Sequence, residues 1–272
     1  MDLICDFTNT YPAHHPAGLA HAPGKEQGML RLDFSALPGT DLYCDDAAAE
    51  EILTQLSQLG PRGIHLIDSG NTHYMTRLFT SLLSEPYELA LFDHHPDLQP
   101  PAFGGLLSCG GWALDVLEKD PNIRKLLLIG PPEEAWAELP REIREDARIC
   151  FVSQEKALQG GTALPTAGGL CGEAPAGEAL PLYVSVDKDI LSTEEVLTNW
   201  DQGEVSMKCL LGLLEAVCEG RRLLGADICG ALPAGGARNV GKQNAPQGAD
   251  AEALALRSDL ELIRFFRRFL PE

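Results

Sequence analysis

The sequence has 272 residues, 44% of them hydrophobic, and carries a formal net charge of −19. That hydrophobic content suffices for a large core, and α/β chains of this length often fold as one domain, so we expect a single domain over residues 1–272. The charge argues against nucleic acid and an anionic membrane as main partners, because both repel such a chain, and it favours solubility and a small-molecule substrate. It leaves the oligomeric state open, a homo-oligomer included.

Strands and helices are predicted to alternate along the chain. In chain order the predictions are strand Asp2–Phe7, helix Asp45–Leu59, strand Gly63–Ile67, helix Thr72–Leu83, strand Tyr87–Phe92, helix Trp112–Glu118, strands Lys125–Ile129, Ile149–Val152 and Leu182–Val186, helix Met207–Cys218, strand Arg222–Ile228 and helix Ala251–Phe269. This alternation predicts a three-layer α/β/α domain with a mostly parallel sheet covered on both faces. The Gly-, Ala- and Pro-rich stretch Gly160–Pro181 is predicted to be a surface loop.

The eight cysteines lie far apart, and no Cys-x-x-Cys pair occurs. This spacing predicts free thiols in a reducing cytosol. The first residues, MDLICDFTNT, lack the basic and long apolar regions of a signal peptide, and no run is long and apolar enough to span a bilayer. We therefore expect a cytoplasmic protein.

Three short clusters of acidic residues and histidine follow predicted strands. They are His73 in SGNTHY, then Asp93, His95 and Asp97 in LFDHHPD, and finally Asp187 and Asp189 in YVSVDKD. Alternate side chains of an extended segment point the same way, so each cluster can aim its ligands at one point. Ligands in parallel sheets bind beyond the carboxyl ends of strands, where all three clusters fall.

The combination of residue types predicts a metal site. Any one cluster alone is explained more readily as a polar turn or a solvated loop, because short motifs recur freely. Together they supply four carboxylates and two imidazoles, which suit two adjacent divalent metals that share ligands. Mixed carboxylate and imidazole ligation favours Mn, Fe, Co or Zn over Ca or Mg.

The three clusters resemble the metal motifs of the ureohydrolase family, which includes arginase, agmatinase and formiminoglutamase. The family's Gly-Gly-Asp-His, Asp-Ala-His-x-Asp and Ser-x-Asp-x-Asp segments correspond in order to Ser-Gly-Asn-Thr-His, Asp-His-His-Pro-Asp and Ser-Val-Asp-Lys-Asp. The resemblance covers roughly residues 60 to 233 and identifies the chain as a divergent member. It implies an arginase-like fold and two Mn²⁺ ions, or other divalent transition metals, per chain.

The resemblance also implies which residues hold each metal. One ion would bind His73, Asp93, Asp97 and Asp187, and the other His95, Asp93, Asp187 and Asp189. Asp93 and Asp187 would bridge the two ions. A water held between the metals would be acidified, with Asp97 taking its proton, and the resulting hydroxide would attack a trigonal carbon. The bond broken would be a carbon–nitrogen bond of a guanidine, amidine or amide.

Two departures from the family pattern bear on the substrate and on proton transfer. The glutamate that binds guanidinium in the late Asp-x-x-Glu segment is replaced by Gly230, which predicts that arginine and agmatine are poor substrates. The family's catalytic histidine downstream of the middle motif is also missing, since every histidine lies at or before His95. The corresponding stretch, SCGGWALD, offers Ser108, Cys109 and Trp112 instead.

Other residues are therefore candidates for acid–base catalysis and substrate binding. His94 is the nearest remaining histidine, although alternation along the segment points it away from the metals. His14 and His15, in the loop after the first strand, are predicted together with Ser108 to contact the substrate.

Two alternative functions stay open on sequence. A metal-dependent deacetylase would share the fold but bind one metal, and the second set of ligands, His73 and Asp97, argues against it. A catalytically inactive ligand-binding relative is suggested by Gly230 and by the missing histidine.

Overall fold

A computed structural model of the chain describes residues 1–11, 28–101, 103–159, 179–233 and 249–270. All the strand pairs of its main sheet are parallel, and the eight strands lie in the order β2-β1-β4-β10-β9-β5-β7-β8. These strands are β1 (Leu3–Asp6), β2 (Leu30–Asp33), β4 (Ile64–Leu66), β5 (Tyr87–Phe92), β7 (Ile123–Ile129), β8 (Ile149–Val152), β9 (Leu182–Asp187) and β10 (Leu223–Cys229). A two-residue antiparallel ladder joins β3 (Tyr43–Cys44) to β6 (Leu107–Ser108).

Helices cover both faces of the sheet. They are α1 (Asp46–Leu59), α2 (Met75–Thr80), α3 (Trp112–Lys119), α4 (Glu133–Glu138), α5 (Arg141–Arg144), α6 (Gln154–Ala157), α7 (Met207–Cys218) and α8 (Ala249–Phe266). Side chains of β5 alternate between two buried clusters: Leu89 and Leu91 pack with α1, α2 and α3, whereas Ala90 and Phe92 pack with α7 and α8. This period of two produces the predicted three-layer α/β/α arrangement.

Several predicted elements differ from the structure at their ends or in type. The predicted helix Thr72–Leu83 is a 3₁₀ turn, Gly70–Thr72, followed by α2, which ends at Thr80. The hydroxyls of Thr80 and Ser81 donate to carbonyls three residues earlier, and such bonds compete with continued helix. At α1, Asp45 caps the start of the helix, since its carboxylate accepts a 2.8 Å hydrogen bond from the amide of Ala48.

The prediction of free thiols is wrong at one position. Six cysteines of the described residues form no disulfide, but Cys150, on the edge strand β8, is disulfide-bonded. Sequence spacing cannot reveal such a pairing, because a disulfide depends on how closely two Cα atoms approach in space. Within the described parts of the chain, no helix has the length and apolar character needed to cross a membrane.

Candidate metal centre

The carboxyl ends of β5 and β9 bring the two aspartate motifs together. The strands are paired, with Phe92 opposite Val186, so Asp93 and Asp187 follow on adjacent strands at the same edge. After β9 the chain turns through a 3₁₀ helix, Lys188–Ile190, and the Asp187 carboxylate accepts a 3.0 Å hydrogen bond from the amide of Asp189. This tight turn keeps both carboxylates on the cavity side of the sheet edge.

His73 lies among three of the carboxylates. It follows the 3₁₀ turn after β4, and its Nδ1 lies 3.1 Å from Asp97 Oδ2, 3.2 Å from Asp93 Oδ2 and 3.5 Å from Asp187 Oδ2. Potential ligand atoms of His73, Asp93 and Asp97 all lie within 4.8 Å of one another. This group has the composition and spacing to hold one metal ion.

A second group lies beside the first and shares a residue with it. His95 Nδ1 lies 2.8 Å from Asp189 Oδ2 and 3.5 Å from Asp93 Oδ1. Atoms of Asp93, His95 and Asp189 again lie within 4.8 Å, so Asp93 belongs to both groups. Asp187 belongs to a third group with His73 and Cys229, a cysteine that the sequence motifs did not single out.

The charge of the site fits divalent cations. The carboxylates of Asp93, Asp97, Asp187 and Asp189 are all buried, with residue exposures of 1 to 7%. Burial, then repulsion from neighbouring carboxylates, raises the pKa of Asp187 to about 7 and that of Asp189 to about 6. Four converging buried carboxylates thus carry more negative charge than the two imidazoles can balance. Metal ions would supply the missing positive charge.

The ring of His73 is fixed by groups on its far side. Its Nε2 lies 2.9 Å from the hydroxyl of Ser185, which is in turn 3.0 Å from the hydroxyl of Thr76. Burial lowers the pKa of His73, but hydrogen bonds with Asp93 and Asp97 outweigh it and raise that pKa well above its ordinary value. Hydrogen bonds of this kind orient a metal-binding imidazole and set its tautomer.

The side chain of Asp97 is held by a hydrogen bond from Trp112. Trp112 belongs to SCGGWALD, the stretch that stands where the ureohydrolase pattern has its catalytic histidine. Trp112, at the start of α3, donates from Nε1 to Asp97 Oδ2 at 2.5 Å, and its ring lies 4.9 Å from that of His73. Asp97 has a positive φ of 51°, a conformation that is uncommon outside glycine. Asp97 lines the cavity in front of the two groups.

That cavity has a volume of about 190 Å³ and is lined by both histidines of the groups. Ser108, which the sequence predicts to contact the substrate, lines the cavity, and so does Cys109, whose thiol pKa is raised to about 12 by burial. His94 is not among the lining residues. Its amide donates to Asp189 Oδ1 at 3.0 Å, and its ring lies edge-on to that of His95. His14 and His15 lie outside the described residues.

Gly230 directly adjoins the site, in the segment after β10. Its φ is +84°, and a Cβ built there would lie 2.4 Å from Asp187 Oδ1 and 2.9 Å from the amide nitrogen of Lys188. A glutamate at this position would combine an unfavourable backbone conformation with a direct clash against a candidate ligand. The backbone at Gly230 therefore leaves no room for the glutamate that the ureohydrolase pattern has at this position.

Trp200 and Asp201 also belong to the site, although the sequence motifs did not reveal them. Trp200 lines the cavity, and Asp201 Oδ1 lies 3.0 Å from Nε2 of His95. They lie in an irregular segment with no metal-ligand spacing and no strand before it. The only signal in the sequence is the adjacency of an aromatic and an acidic residue shortly after the last motif, which is too common to indicate a site.

No protein-family model matches the chain, and no curated protein matches it in sequence. Solved structures do match: the chain has the arginase-like α/β fold of the ureohydrolases. Proclavaminate amidino hydrolase from Streptomyces clavuligerus superimposes with a TM-score of 0.65 at 17% identity, over 98% of this chain and 91% of that one. Arginase from Medicago truncatula gives 0.63 at 15%, over 97% and 86%. A T. brucei arginase-like protein, as a triple mutant bound with Mn²⁺, gives 0.59 at 16%, over 99% and 90%. At these identities the likeness is one of fold.

Proposed function

We propose that this protein is a binuclear metal-dependent hydrolase that cleaves a carbon–nitrogen bond of a small molecule. The observation that carries the proposal is a pair of ligand groups that line one cavity and share Asp93. His73 and Asp97 belong to one group, and His95 and Asp189 to the other. The fold is that of an amidino hydrolase and an arginase, and one arginase-like neighbour is bound with Mn²⁺. Two Mn²⁺ ions per chain are the metals we expect.

The residues of the site would have two roles, to bind the metal ions and to accept a proton. Bound divalent metals would acidify a water and stabilise negative charge that develops on the substrate. His73, Asp93, His95, Asp97 and Asp189 would hold them, together with Asp187. Asp97 would also take the proton of the attacking water, and Trp112 would orient the carboxylate of Asp97 by donating to its Oδ2.

The substrate class follows from charge and space. Buried carboxylates converge on a cavity of about 190 Å³, which favours a small neutral or cationic nitrogen compound over an anion. A guanidinium in a closed site needs a carboxylate to pair with, because an unpaired buried charge is costly. Since Gly230 leaves no room for the usual glutamate, we expect arginine and agmatine to be poor substrates and an uncharged amide to be preferred.

The test combines metal content with turnover. Protein purified without chelators is assayed for bound metal by elemental analysis, and the Mn²⁺-loaded protein is assayed for ammonia or urea release across guanidines, amidines and amides. We expect two ions per chain and turnover of at least one amidine or amide. One ion per chain with turnover of acylamines would instead favour a deacetylase-like enzyme.

A ligand-binding relative without activity is the second candidate. It is favoured by the absence of any histidine beyond His95, so that no imidazole follows the middle motif where the ureohydrolase pattern has its catalytic one. Two bound metals without turnover anywhere on the panel, combined with saturable binding of a panel compound, would support this candidate over the enzyme.

A further inference from the structure

His95 uses both of its ring nitrogens. Nδ1 faces Asp189 and Asp93 in the candidate metal centre, whereas Nε2 lies 3.0 Å from Oδ1 of Asp201 at the rim. An imidazole nitrogen binds a metal only when it carries no proton, so the remaining ring proton must then be on the other nitrogen and needs an acceptor. Asp201 is in place to accept it.

We propose that Asp201 is a positioning residue for His95: it accepts the Nε2 proton and thereby fixes the ring with Nδ1 toward the metal. This inference rests on the proposed metal-dependent function. It assigns a role to a residue that lies outside the three ligand motifs, 106 positions after His95 in the sequence. The role is to orient a ligand, not to contact the substrate.

The segment that carries Asp201 is held in place by its neighbours. Gln202 donates from Nε2 to the carbonyls of Leu191 and Val196, both at 3.0 Å, and its Oε1 accepts from the amide of Thr198 at 3.2 Å. The next residue, Gly203, donates its amide to the carbonyl of Asp189 at 2.7 Å. Asp201 is therefore anchored to the segment that supplies one of the candidate ligands.

Trp200 ties the same segment to the other half of the site. Its ring lies 5.5 Å from that of His95 and nearly perpendicular to it, and its Nε1 donates to Asn71 Oδ1 at 2.9 Å. Asn71 lies in the 3₁₀ turn that leads into His73. Gly70 permits this packing, because a Cβ there would lie 2.6 Å from Trp200 Cδ1. The segment that carries Trp200 and Asp201 thus contacts His95 itself and the turn that precedes His73.

Asp201 could act on His95 as a hydrogen-bond acceptor or only as a negative charge, and the two can be distinguished. The side chain of Asp201 is 77% exposed, so solvent screens its charge, and the charge alone contributes little. An acceptor oxygen at the same place can accept the hydrogen bond from Nε2 and fix the tautomer of His95 whether or not it is charged. Asparagine offers such an oxygen, and alanine does not.

The experiment measures Mn²⁺ binding to metal-free protein by competition with a fluorescent chelator. The variants are Asp201→Ala, Asp201→Asn and, as a matched control, Glu204→Ala, which removes an exposed carboxylate from the same segment. Circular dichroism of each variant checks that it is folded. In Asp201→Ala we expect one of the two ions to bind about 10- to 100-fold more weakly, the usual effect of removing such a partner. Asp201→Asn should lose clearly less, and Glu204→Ala should match the wild type.

Two results would overturn the inference while the proposed function stands. The first is a wild type that binds two ions together with an Asp201→Ala variant that binds both equally well. The second is equal weakening in Asp201→Ala and Asp201→Asn, which would assign the effect to charge. A wild-type protein that binds no Mn²⁺ would instead overturn the proposed function and this inference together.

Discussion

Asp93 occupies the central position of the candidate centre, because one of its oxygens faces His73 and the other faces His95. Replacement by alanine should therefore remove both metals, whereas Asp189→Ala should mainly weaken the ion near His95. Elemental analysis after dialysis against excess Mn²⁺ gives the ions per chain for each variant.

The control for these variants is Asp46→Ala, in the first turn of α1, which removes an exposed carboxylate that does not line the cavity. It should keep the wild-type metal content. Unchanged metal content in Asp93→Ala would contradict the shared-ligand arrangement.

Gly230 determines which nitrogen compounds we expect the protein to reject. Since no carboxylate can stand at that position, L-arginine and agmatine should be turned over far more slowly than the ordinary enzyme rate of roughly 10 per second. Colorimetric detection of urea in the Mn²⁺-loaded protein tests this. Rapid release of urea from either compound would mean that another carboxylate pairs with the guanidinium.

At the scale of elements, a buried ion pair joins α8 to the ligand turn after β9. Lys188, between the two aspartates of that turn, donates to Asp259 Oδ1 at 2.5 Å, and the two side chains are 1% and 4% exposed. Lys188→Met leaves a buried carboxylate without this cation and should lower the free energy of unfolding by about 3–5 kcal/mol. Urea denaturation measures the change.

The double variant Lys188→Met/Asp259→Leu separates the cost of losing the cation alone from the contribution of the whole pair. It should be more stable than Lys188→Met alone, because it removes the buried carboxylate together with its cation. Lys208→Met, on an exposed position of α7, is the control and should change stability little. Equal stabilities of the single variant and the wild type would show that the pair contributes nothing.

Elements that contain a clear apolar run could be predicted from sequence, and elements without one could not. Tyr87–Phe92 and Met207–Cys218 match the predictions to the residue, because apolar runs of their length have a clear period. The edge strand β2 was missed: it has four residues, none of them buried, and depends on backbone pairing with β1. The ligand motifs could be found because each follows a strand. Asp201 could not, because only the folded chain brings it to His95.

At the scale of the whole molecule, metal binding should stabilise the fold by mass action. Mn²⁺ at 100 times its dissociation constant adds about 2.7 kcal/mol per site to the free energy of unfolding. For a chain of this size, that raises the midpoint temperature of unfolding by about 5 °C or more. Scanning fluorimetry with and without Mn²⁺ measures the shift. In Asp93→Ala the shift should disappear, whereas Mg²⁺ should stabilise the wild type less than Mn²⁺ does.

The close contact between Gly230 and Asp187 has an evolutionary consequence. A lost binding residue is often one codon change away from recovery, but here that single step would place a side chain against a candidate ligand on a backbone that disfavours it. An ancestor or descendant with glutamate at this point must also have had a different path for the chain after β10. Substrate preference and backbone course would then change together, so conversion of this protein into an arginase by directed evolution should require an insertion, a deletion or several simultaneous substitutions there.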